Sequence, residues 1–341
     1  MTECTFTFPE IDDSDISWVC NAMQLPPMAF FGETGSDPRA TVLKCTSSLD
    51  IEACPGSGKT TLLVAKLAIL SKKWTEKQHG ICVLSHTNAA RVEIETRIGS
   101  SSGSGALLRY PHFIGTIHSL VNEFLALPWL KSNGNPIKAV DTEITQTLRW
   151  QRIPYGTRMY LENNHLSKSC MSYDTADFSG AEREKLQKKS ATTAAKLVEI
   201  CRETTKEGYF CYDEMFVWAN QLLDSFPEII PAMRTRFPIV FVDEVQDNSE
   251  LQSTLLHRLF IKGKDPVMRQ RFGDSNQAIY RQEEQDSTSI DTFPNGEKAD
   301  LPTSFRFSQA IADLANPFAP VPQGLVGKGP TQGDRRNTIF L

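Results

Sequence analysis

Short unbroken apolar runs alternate along this chain with stretches whose apolar residues recur at helical spacing. After an irregular N-terminal segment, Ala40-Thr41-Val42-Leu43-Lys44-Cys45 and Leu49-Asp50-Ile51-Glu52 flank a Thr-Ser-Ser turn and predict a hairpin. Leu62, Leu63, Val64, Leu67, Ala68, Ile69 and Leu70 predict a helix running to about Trp74. Gly80 to Ser85 reads as a buried strand, and about Asn88 to Ile98 as a helix. Gly99 to Gly105 is a Ser/Gly loop, and residues 112–125 hold a second strand-to-helix transition. Phe237 to Val242 is another buried strand, followed by a helix from Leu251 to Phe260 and a strand near Val267 to Phe272. Alternating strands and helices predict an α/β fold, a doubly wound parallel sheet flanked by helices. Residues 126–225 break the alternation, being mostly helical and polar, and read as a helical insertion. The mixed charges of Glu182 to Lys206 fit a solvated helix face better than a nucleic-acid contact.

Composition narrows the classes. A chain of 341 residues predicts about two domains. A net charge of −5 leaves no global basic field, so any nucleic acid would have to be held in a local groove. The eight cysteines form no C-x-x-C pair and no zinc spacing, which points to free thiols in a reducing cytoplasm. The acidic, polar N-terminus is not a signal peptide, and no apolar run reaches membrane-spanning length.

The chemistry starts where the strand ending at Glu52 meets the helix after it. Ala53-Cys54-Pro55-Gly56-Ser57-Gly58-Lys59-Thr60-Thr61 is a small-residue turn between strand and helix, as a phosphate-binding loop requires. Backbone N–H groups of such a turn close around a triphosphate, and the helix N-terminus adds partial positive charge. Lys59 would reach the β- and γ-phosphates of ATP, and Thr60 would ligate Mg²⁺. The loop departs from the usual pattern in opening with Ala53 rather than Gly. Downstream, Asp243-Glu244 ends a buried strand: Asp243 would hold Mg²⁺, and Glu244 would orient and polarise the attacking water. A Gly/Ser turn that happens to precede Lys-Thr, and an acidic pair capping a helix, are the plainer alternatives. The two motifs together, each at a strand end, favour the nucleotide site.

The pentad Asp243-Glu244-Val245-Gln246-Asp247 resembles the D-E-x-Q-D of superfamily 1 helicases of the UvrD/Rep type. The same family's A-x-x-G-S-G-K-T loop accounts for Ala53. Leu84 to Ala90 resembles motif Ia, and Gly115-Thr116-Ile117-His118-Ser119-Leu120 resembles the element that contacts single-stranded DNA. Phe216 to Leu223 resembles the helix before motif II, Gly273 to Tyr280 resembles motif III, and Ser304-Phe305-Arg306-Phe307-Ser308 resembles motif IV. The resemblance implies a RecA-like P-loop NTPase sheet. Residues 1–125 would be the first part of domain 1A, 126–225 a 1B-like helical insertion, 226–300 the rest of 1A, and 301–341 the start of a second RecA-like domain, 2A. Asn337 to Leu341 would be that domain's first strand, the chain then being part of a longer enzyme.

The resemblance also implies roles. Gln277 would sense the γ-phosphate, with Gln246 near the same group. Arg306 would act as an arginine finger, and Phe305, where the family usually has Tyr, would stack on adenine. Thr87, Asn88, Thr116, His118 and Tyr280 would line the path of single-stranded or partly duplex DNA, along which the family moves 3′ to 5′. Two departures stand out: His86 replaces the usual Phe, and Arg281-Gln282-Glu283-Glu284 puts two carboxylates where a base-stacking aromatic is usual. Like charge near phosphates opposes binding, so a second expectation is an ATP- or DNA-end-sensing subunit that controls a partner nuclease without unwinding. The Phe113-Ile114-Gly115-Thr116 and Ser304-Phe305-Arg306 forms resemble the compact helicases of Gabija-type anti-phage systems, which also work beside a nuclease.

Overall fold

A computed structural model describes residues 6–32, 35–100, 104–180, 186, 190–261, 267–278 and 291–330. In chain order the main elements are α1 (Asp13–Ala22), α2 (Pro38–Lys44), β1 (Leu49–Ala53), α3 (Lys59–Lys73), β2 (Ile81–Ser85), α4 (Asn88–Ser100), β3 (Phe113–Thr116), α5 (Ile117–Val121), α6 (Leu127–Ser132), β4 (Ala139–Val140), α7 (Thr142–Arg152), α8 (Tyr155–Asn163), α9 (Ala191–Lys206), β5 (Tyr209–Phe210), α10 (Glu214–Ser225), α11 (Ile229–Arg236), β6 (Ile239–Val242), α12 (Glu250–Phe260), β7 (Met268–Gly273), β8 (Lys298–Leu301), β9 (Thr303–Ser304), α13 (Gln309–Ala315) and β10 (Val326–Gly327). They divide into two compact units, residues 1–116 with 231–341, and residues 117–230. Among the described residues, no helix is long and apolar enough to cross a membrane.

The first unit is built on a six-stranded sheet in the order β3-β2-β6-β7-β1-β8, with every neighbouring pair parallel. β6 is apolar along its whole length, Ile239-Val240-Phe241-Val242, as suits a strand covered on both faces, whereas β7 and β1 bury Arg269, Gln270, Arg271, Asp50 and Glu52 among their apolar residues. Helices α1 to α4 pack one apolar cluster against the sheet, through Ile16, Val42, Leu63, Leu67 and Ile94 among others. The loops that leave the strands at Ala53, Ser85, Thr116, Val242 and Gly273 therefore emerge at the carboxyl edge, where α/β sheets hold ligands.

The expected hairpin does not form. Residues 38–44 are the helix α2, and β1 pairs instead with β7 and β8. The alternation of Ala40 to Cys45 is overridden by its start: Pro38 sits in the first turn, and the Asp37 carboxylate accepts the Arg39 N–H as an N-cap. The N-terminal segment likewise holds α1, begun by a capping box between Asp12 and Asp15. The Ser/Gly loop is shorter than expected, since α4 runs through Ser100 and a 3₁₀ turn starts at Ser104. Buried Lys66 of α3 fastens α2 to the sheet, donating to Val42 O at 2.8 Å, Cys45 O at 2.6 Å and Gln270 Oε1 at 2.8 Å. Burial pushes its ammonium down to about 7.

The second unit is helical apart from the short ladder of β4 and β5. Its core is organised by Arg149, which is 0% exposed. The guanidinium forms a two-pronged pair with Glu214 and donates to Thr204 Oγ1 at 2.8 Å and Met171 O at 2.7 Å. Removing one member of such a pair leaves the other charge buried and unmatched. Arg149→Met is therefore expected to destabilise the protein by about 3–5 kcal/mol, read as a lower urea midpoint; an unchanged midpoint would refute this account of the core.

Candidate nucleotide site

β1 delivers the chain into a tight turn at Cys54 to Gly58. Gly56 and Gly58 have φ of +80° and +84°, a left-handed backbone that side chains resist. α3 begins at Lys59 with no side-chain cap, leaving its first N–H groups for an anion. The Ser57 hydroxyl is buried and has no hydrogen-bond partner among the described residues. A Cβ placed on Gly58 would meet nothing within 4 Å, so the cradle is open there. An orphan hydroxyl, an uncapped helix and an open turn fit a phosphate chain.

The facing wall is acidic. Asp243 continues the ladder beyond β6, its N–H donating to Leu84 O at 2.8 Å, and its side chain is buried. Glu244 is held in a left-handed conformation at φ +52°, a strained state for a non-glycine residue. Lys59 Nζ donates to Glu244 Oε2 and lies 3.8 Å from Asp243 Oδ1. Burial pushes the Asp243 carboxyl up to about 6 despite the neighbouring lysine. Burial would raise Glu244 as well, but Lys59 outweighs it and holds that carboxyl below its ordinary value. A buried carboxylate beside the hydroxyl-bearing first turn of α3, where Thr60 stands, can share a divalent cation. Among the described residues no three His, Cys, Asp or Glu side chains gather as a cage, so a cation here would share phosphate and water ligands, the habit of Mg²⁺.

Two glutamines extend this wall. Gln246 Nε2 donates to Glu244 Oε2 at 2.8 Å, and Gln246 Oε1 accepts from the Asp274 N–H at 3.1 Å. Asp274 in turn accepts from Gln277 Nε2 at 2.6 Å. Lys59, Glu244, Gln246, Asp274 and Gln277 thus form one unbroken chain of polar contacts along the carboxyl edge.

The segment after β8 closes on the loop. Ser304 Oγ donates to Pro55 O at 2.7 Å and the Phe305 N–H to Gly56 O at 2.9 Å. A Cβ on Gly56 would lie 2.5 Å from the Arg306 Cβ, so only glycine permits this approach. The Phe305 ring is exposed and lies 4.7 Å from the Arg39 guanidinium, which Asp37 holds with two bonds. Thr61 accepts from Arg97 at 3.1 Å.

The residues expected along a DNA path are more dispersed. Exposed Thr87 caps α4 by accepting the Ala90 N–H, and Asn88 opens that helix at the surface. Thr116 is the buried last residue of β3. In the second unit, His118 meets Phe216 and Tyr212 edge-on at 5.0 and 5.9 Å and lies 3.5 Å from Asp213. Tyr280, the run Arg281 to Glu284 and the run Asn337 to Leu341 lie outside the described residues. Sequence reasoning missed Arg39, Glu52, Asp274 and Gln323 as neighbours of the site. Asp274 was visible inside the motif III segment, and Glu52 as a carboxylate in a buried strand; Arg39 and Gln323 carried no local signal.

Residues 35–296 match the family described as the UvrD/REP helicase N-terminal domain. Among curated proteins the chain is 25% identical to DNA helicase II of Escherichia coli (strain K12) over 305 residues, covering 85% of this chain and 41% of that protein. It is 25% identical to the ATP-dependent DNA helicase PcrA of Leuconostoc citreum over 292 residues, covering 78% of this chain and 36% of the relative. The PcrA of Staphylococcus aureus (strain Mu50 / ATCC 700699) is 23% identical over 301 residues, 84% of this chain and 40% of its own length. The chain spans about two fifths of the length of these relatives.

The raised Asp243 carboxyl has a sign that can be tested. Its folded value of about 6 lies above the ordinary 3.8, so between these values the folded state binds more protons than the unfolded one. This group's contribution to stability therefore falls as pH rises from 4 to 6 and stays lost above. Asp243→Asn is expected to stabilise the nucleotide-free protein at pH 7.5 by on the order of 2–3 kcal/mol, an advantage that shrinks towards pH 4. Thermal unfolding across that pH range, with a variant no more stable than wild type at pH 7.5, would count against it.

Proposed function

We propose that this chain, which belongs to the UvrD/Rep helicase family, carries the ATP-binding part of a DNA-dependent ATPase that moves 3′ to 5′ on single-stranded DNA and separates strands. The observation that carries this reading is Lys59, at the uncapped start of α3, facing Asp243 and Glu244 across an open glycine turn. ATP is the substrate that answers all of these groups at once. The backbone of Pro55 to Thr61 and the Ser57 hydroxyl bind its phosphates, and Lys59 transfers from Glu244 to the β- and γ-oxygens. Thr60 and Asp243 would hold Mg²⁺, which would supply neutralisation of the phosphate charge. Glu244, released by Lys59, orients the attacking water and accepts its proton. Gln277 and Gln246 report on the γ-phosphate position, and Arg306, fixed beside Gly56, meets the charge that develops there. Phe305 and Arg39 offer a flat face for the base.

In the first unit, DNA contacts are assigned to Thr87, Asn88 and Thr116, at or just beyond the ends of strands β2 and β3; in the helical unit, separately, to His118. A base can stack beside an imidazole already lodged among aromatic rings. The helical unit is then the insertion of the first motor domain, and the segment from 301 onwards leads into the second.

The test is ATP turnover by the intact gene product, with and without single-stranded DNA. Glu244→Gln is expected to keep ATP binding and lower turnover by about 10²–10⁴-fold, and Lys59→Ala to lose ATP binding. Duplexes with a 3′ tail should be opened and those with a 5′ tail left closed. Tight ATP binding with no stimulation by DNA would refute the motor reading.

A further inference from the structure

β1 leads into the phosphate loop and is paired on both sides, by β7 and β8. Such a strand ordinarily reads apolar. This one carries two buried carboxylates, Asp50 and Glu52. Asp50 is matched by charge, accepting two bonds from Arg271 at 2.7 and 2.5 Å. Glu52 is not: among the described residues no cation pairs with it within 4.0 Å, although it is only 4% exposed. Its partners among the described residues are neutral donors. Ser275 gives its N–H to Oε1 at 2.7 Å and its hydroxyl to Oε2 at 2.8 Å, and Gln323 Nε2 donates to Oε1 at 2.9 Å.

All three donors belong to one local assembly. Ser275 begins the 3₁₀ turn that ends at Gln277. Gln323 Nε2 also reaches Asp274 Oδ1 at 2.9 Å, and Asp274 holds the Gln277 amide. Asn276 and Val321 exchange two bonds, at 3.0 and 2.9 Å, and so bind the same turn to the same segment. A carboxylate accepts at both oxygens and donates at neither, so one buried side chain can hold the turn and the segment together.

We propose that Glu52 is a positioning residue for ATP hydrolysis. It fixes the Ser275 to Gln277 turn from beneath and, through Gln323, ties the position of Gln277 to the segment running from Asn316 to Gly327. The proposal rests on the reading of the site as an ATPase. It adds a device at the loop strand that sets where the γ-phosphate-facing glutamine stands.

The test uses Glu52→Leu and Glu52→Gln in the intact gene product. Leucine suits a buried strand, and glutamine keeps one acceptor. In Glu52→Leu, native-state hydrogen exchange at Ser275 to Gln277 should quicken about tenfold, as loss of a buried hydrogen bond predicts, while Leu62 in α3 exchanges as before. DNA-stimulated kcat should fall by about tenfold at unchanged KM for ATP, and Glu52→Gln should recover most of both effects. A merely structural role would instead raise KM, lower the melting temperature and quicken exchange throughout β1 and α3, which would overturn the proposal. So would turnover and turn exchange that match wild type. Wild-type protein that turns over no ATP would fail the ATPase reading itself, and this proposal with it.

Discussion

The ammonium of Lys59, set between Asp243 and Glu244, is the contact on which the rest of the site depends. It joins positions 185 residues apart in the chain and brings the first turn of α3 against the end of β6. Both carboxylates are costly where they stand, one deeply buried and the other on a strained backbone. The Lys59 ammonium offsets part of that cost. It cannot offset all of it, which is why the deeper carboxyl remains displaced from its ordinary range while the shallower one is held down.

From this contact the polar chain runs sideways along the sheet edge rather than into the core. Gln246 and Asp274 carry it from β6 to β7, and Ser275 and Glu52 carry it back to β1. The order β6-β7-β1 makes these three strand ends adjacent, so each link spans one interstrand gap. The segment from Ser304 to Arg306 closes the far side by bonding to the loop's own carbonyls. The geometry of the loop and the place of Arg306 are consequently one variable, enforced by the missing side chain of Gly56.

Much of this was legible in the chain. The apolar runs that became β2 and β6 were readable because strands buried on both faces leave few polar positions to confuse the pattern. The Asp243-Glu244 pair stood out because it follows the apolar run of β6 directly, and the turn after β1 because of its own Gly-Ser-Gly-Lys-Thr composition. What escaped was of two kinds. The alternation at Ala40 to Cys45 pointed to a strand, but Asp37 and Pro38 started a helix there; a local cap overruled a short pattern. The other misses are contacts at long range. Glu52 meets Ser275 across 223 residues and Gln323 across 271, and no periodicity encodes such a meeting. The stacking of Arg39 on Phe305 is of the same kind.

The place of β1 in the sheet bears on how the chain comes to be made. Its neighbours are β7 and β8, so Leu49 waits for Gln270 and Asp50 for Lys298. On a ribosome the strand that leads into the Gly56–Gly58 turn emerges early and stays unpaired along both edges while the whole helical unit is synthesised. Closing the sheet around it requires loops of more than two hundred residues, the slowest kind of contact to form. The two carboxylates of β1 then have a use before folding is complete: charge on an unpaired strand discourages it from pairing with other chains. The same acids that later hold the sheet edge together would guard the nascent polypeptide against aggregation.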